Sequence, residues 1–307
     1  MIKNATLWQI KGSWDSSLTG MEFATRANQF FPCGATQDKA AGWVPPRGDE
    51  HGALVESING WRVLRYMIET KAVPGAAVRK KAQEAADKIE ADTGRRPGKK
   101  ETRALREDAR LELMPHAFAR QSTVWVLVNL VEGLLITDAA TQGKADEVAS
   151  SLVQAFDGLV LRLLNTQHTP QTGMTQWLLA ESPDDWPEGF HVERECELRS
   201  HDEDKSIVRF SRHHLVNDEI RKHIAEGKLP TRLAMSWEGR VGFVLTTNMQ
   251  LKKISFLEGV LDSTSDAYAD CQDAFEADWA LTVGELGQLL PALVDALGGE
   301  LEAGDTA

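Results

Sequence analysis

Residues 231–256, TRLAMSWEGRVGFVLTTNMQLKKISF, hold three short apolar-rich runs in close succession, at 231–237, 240–246 and 251–256. Each is too short for an ordinary helix and rich in β-branched, aromatic or leucine side chains, so the three read as consecutive antiparallel strands. Upstream, 206–210 reads as a further strand. Asn217 is placed to cap a helix whose first turn carries Asp218 and Glu219 and which ends at Gly227. A short helix is expected at 172–180. Downstream, the Leu- and Ala-rich stretch 281–297 reads as a docked helix despite Pro291, with the last ten residues frayed.

The N-terminal half repeats the mixture. Runs at 5–10, 61–68, 123–128, 133–137 and 159–164 read as strands, and 144–156 has helical periodicity. The expected class is therefore α+β with antiparallel sheets. Between two of these strands, Val78, Ala82, Ala85 and Ile89 mark one apolar face of a helix over 76–92. Residues 93–98, Thr-Gly-Arg-Arg-Pro-Gly, must stop that helix and turn the chain before 99–113 resumes helical spacing. This predicts a protruding helical hairpin arm over 74–113, set between a central region (1–73 with 114–170) and a C-terminal region (171–307).

The 307 residues carry 46 acids and 34 bases, a formal charge of -12. Residues 257–307 contribute twelve acids and no Lys or Arg, so the first 256 residues are neutral as a whole. No stretch approaches the roughly 20 apolar residues of a membrane span, and the best candidate, 124–136, is interrupted by Asn129 and Glu132. The N-terminus lacks a signal-peptide core. Cys33, Cys196 and Cys271 are odd in number and far apart, which fits neither a disulfide framework nor a zinc ligand set and favours a reducing cytoplasm.

Inside the neutral part the charge is segregated. Residues 71–110 hold twelve bases and seven acids, and on a helix Lys99, Arg103, Arg106 and Arg110 fall on one side with Glu101, Asp108 and Glu112 opposite. Residues 205–232 hold seven bases, among them Arg209, Arg212 and Lys222, and three acids, with His213, His214 and His223 adding charge near neutral pH. The second block lies between an acidic segment, 183–204, with nine acids and two bases, and the acidic tail. Such a pattern predicts a bipolar surface, with a basic track suited to phosphates. An ordinary solvated helix with salt bridges is the plainer reading of the first block.

Catalytic signatures are absent: no GxxxxGK[ST], GxGxxG, HExxH or GxSxG occurs. Asp262, Asp266 and Asp270 recur every four residues and could form a carboxylate–metal nuclease centre, but without the glycine and terminal glutamate of a calcium loop a solvated acidic surface is the plainer reading. His213 and His214 with Cys196 or His201 match no known zinc pattern. A third possibility is a protein-binding regulator acting through the acidic tail. No metal, cofactor or catalytic residue is expected.

Phe31-Pro32-Cys33-Gly34 followed by Gly42-Trp43-Val44-Pro45-Pro46 resembles the N-terminal hallmark of the recombination-associated protein RdgC family. Leu113-Met114-Pro115-His116-Ala117-Phe118, Gly133-Leu134-Leu135, the run 224–228 leading into Thr231-Arg232-Leu233-Ala234, Thr282-Val283-Gly284-Glu285-Leu286 and Ala296-Leu297-Gly298-Gly299-Glu300 continue the match in order. The resemblance covers essentially the whole chain. It implies a ring-shaped homodimer, associated with the nucleoid, that encircles double-stranded DNA with little sequence preference and restrains RecA-dependent recombination and replication-fork repair without enzymatic activity. It also implies DNA contacts at Arg95, Arg212 and His213, and a subunit contact at Phe118. With the two basic blocks, the expected DNA-binding set is Arg95, Arg96, Lys99, Lys100, Arg103, Arg209, Arg212, His213 and Lys222. Trp43-Val44-Pro45-Pro46 reads as a rigid loop.

Overall fold

The computed structural model describes residues 1–200, 202, 205–257 and 274–301. In chain order the elements are β1 (Ala5–Gly12), α1 (Leu18–Ala27), β2 (Lys39–Val44), β3 (Val55–Ile58), β4 (Trp61–Lys71), α2 (Gly75–Thr93), α3 (Lys99–Leu113), β5 (Ala119–Asn129), β6 (Leu134–Thr137), α4 (Gln142–Ala155) and β7 (Leu159–Leu163). They continue with α5 (Pro170–Leu179), β8 (Phe190–Ser200), β9 (Ile207–Ser211), α6 (Asp218–Ala225), β10 (Lys228–Trp237), β11 (Val241–Thr246), β12 (Gln250–Phe256) and α7 (Ala274–Ala296). The class is α+β, and the paired strands run antiparallel. Two compact units divide the chain, one of residues 1–22, 55–64 and 125–307, the other of 23–54 and 65–124. The division differs from the regions expected above: 74–113 shares a unit with 23–54, and 171–307 shares one with β1.

In the first unit a sheet runs in the order β6-β1-β12-β11-β10-β8-β9, with β7 also on β1. Register places Phe210, Cys196, Leu233, Leu245, Leu251 and Ala5 directly opposite one another across six strands. All six are buried, because side chains alternate along each strand and this row faces the core. Helix α7 covers that core with Trp279, Leu286, Leu289, Leu290 and Leu293. Glu285, buried on the same helix, accepts from Arg240 Nε at 3.0 Å, so its charge is neutralised where it leaves water. α7 starts seven residues before the expected 281, since Phe275 and Trp279 add another turn to its apolar face. Residues 298–301 are docked rather than frayed: Leu301 N–H donates to the Asn165 carbonyl at 2.9 Å, and that of Gln167 to Gly299 at 3.0 Å.

Strand β8 lies inside the segment read above only as acidic. Its odd-numbered glutamates point away from the core while Cys196 and Leu198 fill it, so a high acid count conceals a half-buried strand. Charge segregated along the chain is consequently not segregated in space here, because β8 lies between β9 and β10 and sets Glu195 and Glu197 among cations.

The second unit contains β2 paired with residues 65–70 of β4, from Val44 opposite Arg65 to Lys39 opposite Thr70. Trp43 and Val44 end this strand, which corrects the loop reading. A Cβ on Gly42 would come within 2.6 Å of the Phe30 backbone, so glycine permits the close approach in which Phe30 N–H donates to the Trp43 carbonyl at 2.9 Å. Trp43 is fully buried, with its ring 4.9 Å from that of Tyr66. Of the N-terminal hallmark, Gly42 and Trp43 therefore pack the second unit, whereas Phe31 is 73% exposed.

Candidate nucleic-acid interface

Helix α2 stops at Gly94, whose φ of 69 is the left-handed cap glycine tolerates best, and its N–H donates to the Glu90 carbonyl at 2.8 Å. α3 spans the residues expected from spacing and packs beside α2, tied to it by a Lys81–Glu112 ion pair. Ala82 and Ala109 are the buried members of the two helices, which leaves the long cations outside. Lys99, Lys100, Arg103 and Arg106 are exposed and have no ion pair or hydrogen bond among the described residues. Arg110, the fourth member of the expected stripe, is instead held by Asp38 at 2.6 Å and Glu107 at 3.4 Å.

The turn residues are paired. Arg95 grips Glu101 with both nitrogens, at 3.0 and 3.2 Å, and the bond holds the Glu101 carboxyl below the usual carboxylate range. Arg96 Nε bonds both oxygens of Glu90 at 2.9 and 3.0 Å, which raises the guanidinium pKa further. Both arginines remain largely exposed, at 64% and 84%. Exposed pairs of this kind contribute about 0–1 kcal/mol, so an arriving phosphate can replace the carboxylate at small cost.

The second block occupies the end of β9, α6 and the outward face of the sheet. Asn217 Oδ1 accepts from Ile220 N–H at 3.0 Å, confirming the expected cap of α6. Arg212, with a φ of 55, is exposed just after β9, and Lys222 is exposed on α6. His213 donates through Nδ1 to the His214 carbonyl at 2.8 Å, sits 3.6 Å from Glu219 through Nε2, and rests its ring 5.4 Å from Phe210. Arg209 bonds Glu197 at 2.7 Å. Register then aligns Arg209, Glu197, Arg232 and Thr246 across four strands.

Lys252 and Lys253 join this face and were not singled out from sequence. Adjacent residues of a strand normally face opposite ways, but pairing slips between Gly242–Ser255 and Val244–Lys252, and Lys253 takes a φ of 51. That bulge brings both lysines to one cleft with Arg209 and Arg232. A lysine doublet beside a glycine-bearing strand was the only trace of it in the sequence.

Phe118 is 95% exposed, which excludes core packing. Cys196 belongs to the core, and burial pushes its thiol up to about 12, far from the thiolate a metal needs. Among the described residues no group of His, Cys, Asp and Glu could hold a metal ion. Asp262, Asp266 and Asp270, with His201 and Cys271, lie outside the described residues. No helix among the described residues is long and apolar enough to cross a membrane.

The fold and these surfaces define an α+β protein whose distinctive chemistry is carried by exposed cations. The chain belongs to the RdgC family: residues 1–300 match the family model described as "Putative exonuclease, RdgC". It is 37% identical over 302 residues to the recombination-associated protein RdgC of Dechloromonas aromatica, covering 97% of this chain and 98% of that one. The protein of the same name from Herminiimonas arsenicoxydans is 37% identical over 298 residues, with 97% and 98% covered, and that of Janthinobacterium sp. 35% over 300, with 98% of each. The relatives' names place them in recombination and specify no enzymatic reaction.

Proposed function

We propose that the protein is a non-enzymatic, sequence-independent binder of double-stranded DNA. It acts as a homodimer closed into a ring around the duplex, at the nucleoid, where it restrains RecA-dependent recombination and fork repair by occupying DNA. The observation that carries this reading is the row of exposed cations Lys99, Lys100, Arg103 and Arg106 on α3, which have no ion pair among the described residues. A helix that presents such exposed cations, in a chain with an acid excess, is suited to a polyanion. Arg95 and Arg96 extend that surface at the turn of the proposed protruding arm, and Arg209, Arg212, His213 and Lys222 supply the second contact surface. The relatives' association with recombination supplies the biological setting. Phosphate contacts release counterions, so log affinity should fall linearly with log salt by about 0.9 per contact and unrelated duplexes should bind alike. Retention of closed circular duplex, measured from low to moderate salt on several sequences, checks both; one sequence bound a thousandfold better than the others would end the phosphate-only account.

Phe118 gives the assembly its test. An aromatic side chain this exposed is costly in water and well placed to bury against a second subunit. Phe118→Ser should weaken dimerisation at least tenfold in sedimentation equilibrium while leaving the melting of the monomer unchanged; an undisturbed dimer at low concentration refutes the assignment.

The family description favours one other reading, a nuclease. Its carboxylates would be Asp262, Asp266 and Asp270. Incubation of circular duplex with magnesium or manganese separates the two: strand breaks that vanish on changing those aspartates to asparagine establish the nuclease.

A further inference from the structure

The cleft on the outward face of the first unit's sheet encloses about 290 Å3 and is lined by Glu195, Glu197, Arg209, Arg232, Lys252 and Lys253 among others. Its four cations are not equivalent. Arg209 bonds Glu197 at 2.7 Å and Lys253 bonds Glu195 at 2.7 Å, so both carboxylates are engaged. Burial works to raise the Glu197 carboxyl, yet Arg209, the Thr231 hydroxyl at 2.8 Å and the charge of Arg232 outweigh it and hold it ionised. Two positive charges are left over. Arg232 has no ion pair or hydrogen bond among the described residues, and Lys252 donates only to the neutral carbonyls of Ala139 and Ala140, at 3.4 and 3.0 Å. Burial, and then the field of Arg232, pull the Lys252 ammonium below its ordinary pKa; Asp138 pulls the other way, but it already accepts from the Asn4 N–H at 2.8 Å.

Arg232 is exposed and Lys252 half-buried, and two uncompensated positive charges lining one cleft raise the local potential for an anion. A phosphodiester brings one negative charge; a phosphomonoester near neutral pH brings nearly two and presents three oxygens to a guanidinium fork and an ammonium. The volume suits a phosphate with one sugar-sized substituent. We propose that this cleft seats the dianionic phosphate of a phosphomonoester, gripped by Arg232 and Lys252 and framed by Arg209 and Lys253. The inference goes beyond duplex binding, whose phosphates are diesters, and it assigns a role to the bulge at Lys253.

Titration calorimetry with inorganic phosphate tests it on the full chain. One saturable site per chain is expected. Arg232→Gln and Lys252→Met should each weaken it at least tenfold, Arg162→Ala, on β7, should leave it alone, and binding should weaken several-fold between pH 7.5 and 5.5 as the dianion is protonated. Unchanged melting temperatures verify that the variants fold. Thymidine 5′-monophosphate and an eight-nucleotide strand with and without a 5′-phosphate distinguish the sources: equal binding of the mononucleotide and the phosphorylated strand identifies a free monoester as sufficient, and preference for the strand identifies a chain terminus. Absence of saturable phosphate binding, or binding that survives both substitutions, overturns the seat. Retention of closed circular duplex, which has no terminal phosphate, reports on the duplex-binding reading separately.

Discussion

Replacing Lys99, Lys100 and Arg103 together by alanine should flatten the salt dependence of duplex binding more than any other surface change. The three are exposed, and among the described residues none is paired with a carboxylate. In a dimer the substitution removes up to six phosphate contacts, and at about 0.9 per contact the slope of log affinity against log salt should become shallower by about five. Arg95→Ala or Arg212→Ala alone should lower it by about one for each contacting subunit, and the loss at Arg95 should be the smaller in affinity because its guanidinium must first leave Glu101. Arg162→Ala, on β7, should change nothing. Fluorescence anisotropy across a salt series gives all four slopes, and a triple variant with the wild-type slope would remove α3 from the interface.

Trp279→Ala should be the most destabilising single truncation in the first unit. The indole is buried, lies 4.6 Å from the ring of Trp125 and 6.1 Å from that of Phe275, and belongs to the same core as the six-strand row from Phe210 to Ala5. Truncating a buried Trp leaves a large cavity and typically costs about 3–5 kcal/mol. Trp279→Phe retains most of the contact and should cost less than half as much. Denaturant titration followed by tryptophan fluorescence reads both, and a midpoint that does not move for Trp279→Ala would mean that α7 contributes little to the core.

Much of the scaffold was legible because it obeys local rules. The α3 boundaries follow from Gly98 and the helical spacing beyond it, the stop of α2 from Gly94, and the start of α6 from Asn217. Strands β10, β11 and β12 declare themselves through apolar runs. What escaped was decided by tertiary context. β8 reads as solvated acid because its outward residues are glutamates, and only the neighbouring strands show that Cys196 and Leu198 are core. β2 carries alanine, glycine and a single buried Trp rather than an alternating pattern, so its pairing with β4 has no local signature. Among the cations of the two basic blocks, spacing located the exposed row on α3 but could not tell that Arg110 is committed to Asp38 or Arg209 to Glu197, since those partners lie elsewhere in the chain. Lys252 and Lys253 share a cleft only because a bulge breaks the alternation.

The pairing of β1 with β12 also sets a timetable for making the molecule. Thr6 and Ala5 meet Gln250 and Leu251, and β1 pairs as well with β6 and β7, so a strand made before all three of its partners is among the last to be completed. At roughly 5–20 residues per second, about ten to fifty seconds separate the synthesis of β1 from that of β12. Residues 23–54 and 65–124 have meanwhile all emerged, so the second unit can close while the strand that precedes it waits. Sheets built from such distant partners fold slowly and expose apolar edges while they wait, which makes the nascent first unit a natural client for chaperones that shield unpaired strands.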